Sequence, residues 1–275
     1  MKMKLQHSQI AGMNLIYKWH TMDYFLDAMQ ELGFEAISIW GGPPHFDCDW
    51  KGWQDTAPIR KGAAHRGLSI AGFLVTSTNY RYQVGITERD HRERAFQYFS
   101  NGIRAAAEAG SPSVGINTGW GYRDMDREEA FKRSADMLNR LCDVCRENGV
   151  VLALESLKAL ETTIGVHLED CRRIFDMVDH PSLRIMPDTG AIAYNKERLE
   201  DWFAAFGDRI VALHFVDGMH QEWGEGQSPL DDMIATLVMH RFQGPLMLET
   251  SAGKYMVHPK EADRKAMAVL SRFIE

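Results

Sequence analysis

Four residues of this sequence have types and spacings that could do chemistry together: Glu155, Asp188, His214 and Glu249. Each lies in the last part of an apolar run, in "VVLALES", "LRIMPD", "IVALHFVD" and "PLMLET" respectively. They are 33, 26 and 35 residues apart, about one strand–helix unit each, which places them at the ends of successive strands. Neighbouring strands sit roughly 5 Å apart, so the four side chains can converge on one point. Three carboxylates and an imidazole gathered without a counter-charge repel one another and are costly to desolvate. A divalent cation removes that cost. Oxygen-rich ligands with one nitrogen suit Mn²⁺, Mg²⁺ or Co²⁺, with Zn²⁺ admitted. Any one of the four read alone could be a satisfied buried acid or a core histidine. A second glutamate, Glu161, stands six residues after Glu155 in "VLALESLKALETT", and spacing alone gives it no role.

Holding four side chains in this way takes a repeating scaffold, and the whole chain repeats. Apolar runs at 10–16, 36–41, 68–77, 113–119, 150–156, 183–188, 210–217 and 245–250 alternate with segments of helical periodicity such as "MDYFLDAMQELG". Several helical patterns stop at a glycine (Gly33, Gly67, Gly110, Gly149, Gly244), the residue that takes a left-handed cap without steric cost. Near-continuous apolar strands between helices imply a parallel sheet covered on its outer face. Eight such units in 275 residues match an α/β fold, a closed (β/α)8 TIM barrel in a single domain over 1–275. An open doubly wound sheet would carry a glycine-rich loop after its first strand, and "NLIYKWHT" has no glycine.

The composition, 45% hydrophobic and 25% charged, is that of a globular protein. A net charge of −7 with no Lys/Arg cluster argues against a nucleic-acid partner. "MKMKLQHSQIAGMN" lacks the apolar core of a signal peptide, and no run nears the ~18–20 residues that span a bilayer. With four cysteines and no secretion signal, the expected compartment is the cytoplasm. Cys142 and Cys145 form a CxxC inside a long helical pattern, so buried structural thiols are expected rather than a redox or metal pair.

The motifs "LALESLKALET", "IMPDTGAIA", "ALHFVDG" with "WGEG", and "LMLETS" make the sequence resemble the xylose-isomerase-like TIM barrels over essentially its whole length. That superfamily includes sugar isomerases and epimerases. The resemblance implies that Glu155, Asp188, His214 and Glu249 bind one divalent ion, with Mn²⁺ the first choice. It implies that Glu155 and Glu249 also act as acid and base on opposite faces of a ketose, inverting C3 through an enediolate. It further implies that Glu161 touches the sugar near its carbonyl end, that Tyr17 matches an aromatic lining the pocket, and that the working form is a homodimer or homotetramer.

The segments "WGGPPHF" (40–46), "HFVDG", "HQEWGEG" and "SAGKYMVHP" narrow the likeness to the fructoselysine 3-epimerase group, whose substrate is a ketose amine. Two positions depart from the tagatose and psicose type. A substrate-contacting His is replaced by Ala191, and an Arg after strand seven is absent, leaving His220 as the polar occupant. Both shift the substrate and leave the metal set intact. Inosose isomerase or dehydratase and hydroxypyruvate isomerase use the same metal set and stand as alternatives. A non-catalytic sugar-binding barrel or subunit is a remoter one. The zinc endonuclease built on this barrel needs further histidines, one of them at Ala191, and they are missing.

Aromatics after strand ends can wall a small-molecule sugar: Trp40 after the second strand, Trp120 and Tyr122 after the fourth. His45 reads equally as a sugar contact or as a loop-stabilising hydrogen bond. Asp217, three residues after His214, is expected to orient that imidazole, with a loop cap as the alternative. Lys158 and Lys254 lie in loops on the active face and are expected to be solvated surface residues, with contact to a substrate carboxylate or phosphate as the alternative.

Overall fold

The computed structural model describes residues 4–77 and 81–275. Parallel strands run around a cylinder in sequence order: β1 (Ile10–Met13), β2 (Ala36–Gly41), β3 (Ser69–Val75), β4 (Ser113–Asn117), β5 (Val151–Glu155), β6 (Leu183–Met186), β7 (Leu213–His214) and β8 (Leu246–Leu248). Continuous ladders link β1 through β6, and β8 pairs with both β1 and β7. The remaining seam, between β6 and β7, is closed by two parallel bridges, Ile185 to Ile210 and Asp188 to His214. Thr189 seals it: its hydroxyl accepts the Val216 N–H (2.9 Å) and donates to the Val216 carbonyl (2.7 Å). The chain is therefore a closed barrel.

Around it lie α1 (Met22–Glu31), α2 (Ala57–His65), α3 (Arg89–Ala109), α4 (Arg127–Glu147), α5 (Leu168–Val178), α6 (Thr189–Tyr194), α7 (Leu199–Phe206), α8 (Leu230–Met239) and α9 (Pro259–Leu270). Local chemistry starts and stops them. The Thr21 hydroxyl accepts the Tyr24 N–H at the head of α1, and the Asp126 carboxylate accepts the Glu128 N–H at the head of α4. Gly110 closes α3 at φ 86°.

Alternate side chains of a strand point to opposite faces. One set, including Ile37, Ile39, Leu152, Leu154 and Ile185, joins the large core beneath the helices. The other set, including Ala11, Ala36, Ala153, Met186, Ala212 and Met247, forms a separate cluster inside the cylinder, small alanines packed against adaptable methionines.

All eight apolar runs contain strands, and all but 36–41 are strand over only part of their length. The stretch 210–217 is strand only at Leu213–His214, because its flanks serve the seam and the loop beyond it. A small hairpin, Cys48–Asp49 with Gly52–Trp53, was not expected between β2 and α2. Its turn is built by Asp49, whose Oδ1 accepts the Lys51 and Gly52 N–H groups (2.6 and 3.3 Å). Gly244 lies beyond the end of α8 and lacks the positive φ of the other four glycines. Cys142 and Cys145 are unpaired and buried in α4, and burial pushes both thiols up, Cys142 to about 12. Among the described residues no helix is long and apolar enough to cross a membrane.

Fully buried Asn14, just past β1, ties two strand ends together. Its Oδ1 accepts the Trp40 N–H (2.6 Å), and its Nδ2 donates to the Trp40 carbonyl (3.1 Å) and to His45 Nδ1 (3.0 Å). Asn14→Leu removes all three bonds and strands the buried Trp40 amide. It should lower the unfolding free energy by about 2–4 kcal/mol, read from the denaturant midpoint. An unchanged midpoint would show that the two ends are not coupled through this amide.

Candidate active site

Each of the four candidate ligands stands two residues beyond a residue of the inner cluster: Glu155 after Ala153, Asp188 after Met186, His214 after Ala212, Glu249 after Met247. The alternation that fills the cylinder with Ala and Met thus aims these four at its mouth. One ligand atom from each lies within 4.8 Å of all the others, and all four residues are buried. His214 Nδ1 is 2.8 Å from Glu155 Oε1 and 2.9 Å from Glu249 Oε2. Asp188 uses Oδ1 to accept the Ala191 N–H at the head of α6 (2.7 Å), which leaves Oδ2 for the cluster. Glu249 Oε2 is buried with no well-aligned hydrogen bond, only the His214 and His220 nitrogens at 2.9 and 3.4 Å, which leaves it capacity for a cation. Three oxygens and one nitrogen at this spacing fit a single divalent ion.

The glutamates differ electrically. Burial pushes Glu155 up to about 7, with the His214 charge opposing and the Glu249 and Asp188 charges adding to the rise. Burial acts the same way on Glu249, but His214, with His220 and Lys158 behind it, outweighs burial and holds that carboxyl at about 2. Burial alone would lower His214; the two glutamates outweigh it and keep the imidazole well above its ordinary value. Near neutrality the metal-free cluster therefore carries a proton on His214, with Glu155 half protonated beside an ionised Glu249.

A chamber of about 270 Å³ opens on the cluster, lined by Glu155, Glu161, His220 and Glu249, with Trp40 and Leu74 as apolar wall. His220 Nδ1 donates to the Glu249 carbonyl (3.2 Å), and its Nε2 faces Asp188 Oδ2 at 3.3 Å. The loop reaches this position through two consecutive residues at positive φ, Met219 (59°) and His220 (55°), a conformation that non-glycine residues avoid unless held. Asp217 does the holding. Its Oδ1 accepts the Gly218 and Ser228 N–H groups (2.7 and 2.9 Å) and its Oδ2 the Gly226 N–H (2.8 Å).

Several sequence expectations are corrected here. Asp217 faces loop amides and so does not orient His214. Tyr17 is fully buried, its hydroxyl donating to Asp263 (2.5 Å), and it does not line the chamber. Both nitrogens of His45 are engaged: Nδ1 accepts from Asn14, and Nε2 donates to the His20 carbonyl (2.8 Å), so the loop-stabilising reading holds. Trp120 lines an adjoining recess of about 200 Å³ with Tyr122 and Glu161 rather than the chamber itself.

Lys158 is the residue the sequence reading missed. Its side chain is only 6% exposed, with Nζ 2.9 Å from Glu161 Oε1. Burial pushes it down, yet the charges of Asp188, Glu161 and Glu249 more than restore it. The available signal was its place midway between Glu155 and Glu161, on a turn that folds over the barrel mouth. Lys254, by contrast, is exposed and pairs with Glu225.

A closed barrel with three acids and an imidazole at the C-terminal strand ends defines a class of protein, and comparison with known proteins agrees. Residues 26–273 match the model of the xylose isomerase-like TIM barrel family, and the chain belongs to it. Fructoselysine 3-epimerase of Shigella flexneri is 26% identical over 249 residues, covering 88% of this chain and 89% of that protein. Among solved structures, 3-keto-D-glucoside 4-epimerase from E. coli superposes with a TM-score of 0.81 at 18% identity, covering 96% of this chain and 99% of that one. D-psicose 3-epimerase from Clostridium cellulolyticum H10 superposes at 0.78 with 14% identity, covering 98% and 99%. These two establish the shared barrel.

An ion bound by these four groups must displace the protons they hold. The sign follows from Glu155, whose carboxyl rises from 4.5 to about 7 in the fold. Its share of stability in the metal-free chain is present below about 4.5 and lost as pH rises through about 7, while ion affinity moves the other way. Mn²⁺ affinity should fall as pH falls, by up to about tenfold per pH unit for each proton displaced. Below about 7, where His214 and Glu155 both hold one, the fall reaches up to about a hundredfold per unit. Mn²⁺ added to weakly buffered protein should release acid. Titrations at a series of pH values check this; an affinity independent of pH would contradict it.

Proposed function

We propose that this chain is a divalent-metal-dependent epimerase that inverts C3 of a ketose or ketose amine. One observation carries the reading: two glutamates, Glu155 and Glu249, face a sugar-sized chamber from within a metal-binding set. The likeness to fructoselysine 3-epimerase over 88% of this chain supports it.

When bound, the ion, with Mn²⁺ the first choice, supplies positive charge that makes the hydrogen beside a ketone more acidic. The chain's own groups do the rest. One glutamate takes the C3 hydrogen, and the other returns a proton to the opposite face; the roles exchange with the direction of reaction. Glu161 and His220 offer hydrogen bonds to sugar hydroxyls, and Trp40 and Leu74 exclude water from one side of the ring.

The ketose amine is favoured over a free ketose by a second chamber of about 560 Å³, lined in part by the same Lys18, Trp40 and Thr76. Tyr82 and Tyr98, stacked with centroids 4.6 Å apart, are part of its lining. A sugar alone would leave it vacant, whereas a substituent on the sugar could occupy it.

Glu249→Gln should slow exchange of the substrate C3 hydrogen with deuterated solvent by roughly 10²–10⁴-fold, followed by proton NMR with ketoses and fructoselysine. Exchange at the wild-type rate in this variant would remove the proposed pair.

A further inference from the structure

Lys158 is buried where a lysine has reason not to be. Its long side chain is ordered inside the barrel mouth, against both conformational entropy and the desolvation of its charge. What it does there is visible in its contacts with Glu161. The Lys158 ammonium lies 2.9 Å from Glu161 Oε1, the Lys158 backbone N–H donates to Glu161 Oε2 (3.0 Å), and the Glu161 N–H donates to the Lys158 carbonyl (2.9 Å). One residue thus grips both oxygens of a carboxylate that lines the chamber and also the recess beside Trp120. The turn between Glu155 and Glu161 is in effect closed on itself, which holds the Glu161 carboxylate against Lys158 at the edge of the chamber.

We propose that Lys158 is the positioning residue of the sugar site: it fixes the Glu161 carboxylate for the substrate, and its charge, buried three residues past the candidate ligand Glu155, weakens the grip of the acid cluster on the ion. The proposal rests on the epimerase reading for the identity of the sugar. It gives neutralisation of Lys158 two effects of opposite sign. Removing a cation near Asp188 and Glu249 strengthens the binding of another cation. Releasing Glu161 weakens the sugar. A merely structural role would weaken both together.

The test uses the full chain with Lys158→Met, which keeps the length of the stem, and Lys158→Gln as a second neutral variant should the first fail to fold. Titration calorimetry with Mn²⁺ on chelator-treated protein should show binding several-fold tighter than wild type. Titration of the Mn²⁺-loaded protein with fructoselysine or a ketohexose should show binding weaker by roughly tenfold. Glu161→Gln should give the same sugar loss, and combining it with Lys158→Met should add little, because the two changes break one contact. Unchanged or weaker Mn²⁺ affinity in both lysine variants overturns the proposal, as does full additivity with Glu161→Gln. If the wild-type chain binds no ketose at all, the epimerase reading fails, and the Mn²⁺ titration alone decides for or against Lys158.

Discussion

The barrel closes between β6 and β7 at the level of Asp188 and His214, and that closure brings together groups that repel or desolvate one another. A ladder bridge joins these two residues directly across the seam. His214 then meets Glu155 from one side and Glu249 from the other, at 2.8 and 2.9 Å. Three acids and one imidazole, all buried, make a cluster that hydrogen bonds alone do not satisfy. The seam therefore joins fold to chemistry: the last pairing that completes the cylinder also assembles the charge that calls for a cation. Thr189, bridging both sides through Val216, holds the geometry from below.

The rest of the mouth is arranged around this cluster. Asp188 serves both as cluster member and as cap of α6, so the position of its free oxygen is fixed by a helix. His220 reaches the cluster only because the loop bears two left-handed residues, a conformation that the Asp217 carboxylate pins through the amides around it. The sugar-facing side is rigid for similar reasons, since Asn14 locks Trp40 in place through its backbone. Such sites gain from being held before the ligand arrives, because less ordering remains to be done on binding.

Much of this was legible in the sequence, and the reason is periodicity. Barrel strands carry their message in two signals, the spacing of units and the alternation within each strand, and both survive in a linear string. Glu155, Asp188, His214 and Glu249 could be singled out because each falls at the end of an apolar run, one strand–helix unit after the last. The side chains misjudged are those whose surroundings are set by how the loops fold rather than by strand periodicity. Tyr17 looks like a pocket aromatic until Asp263, at the other end of the sequence, takes its hydroxyl. Asp217 looks like a partner for His214 until the following loop curls back onto it. Lys158 looks solvated because lysines usually are, yet its side chain is buried while Ala159 and Leu160 beside it face solvent.

The account stands most directly on one quantity, the number of divalent ions held by each chain. Protein stripped with chelator, dialysed and titrated with Mn²⁺ under electron paramagnetic resonance should take up one ion per chain. Asp188→Asn and His214→Gln should each abolish that uptake while leaving the barrel folded by circular dichroism. A wild-type chain that takes up no ion, or variants that bind as well as it does, would contradict the account.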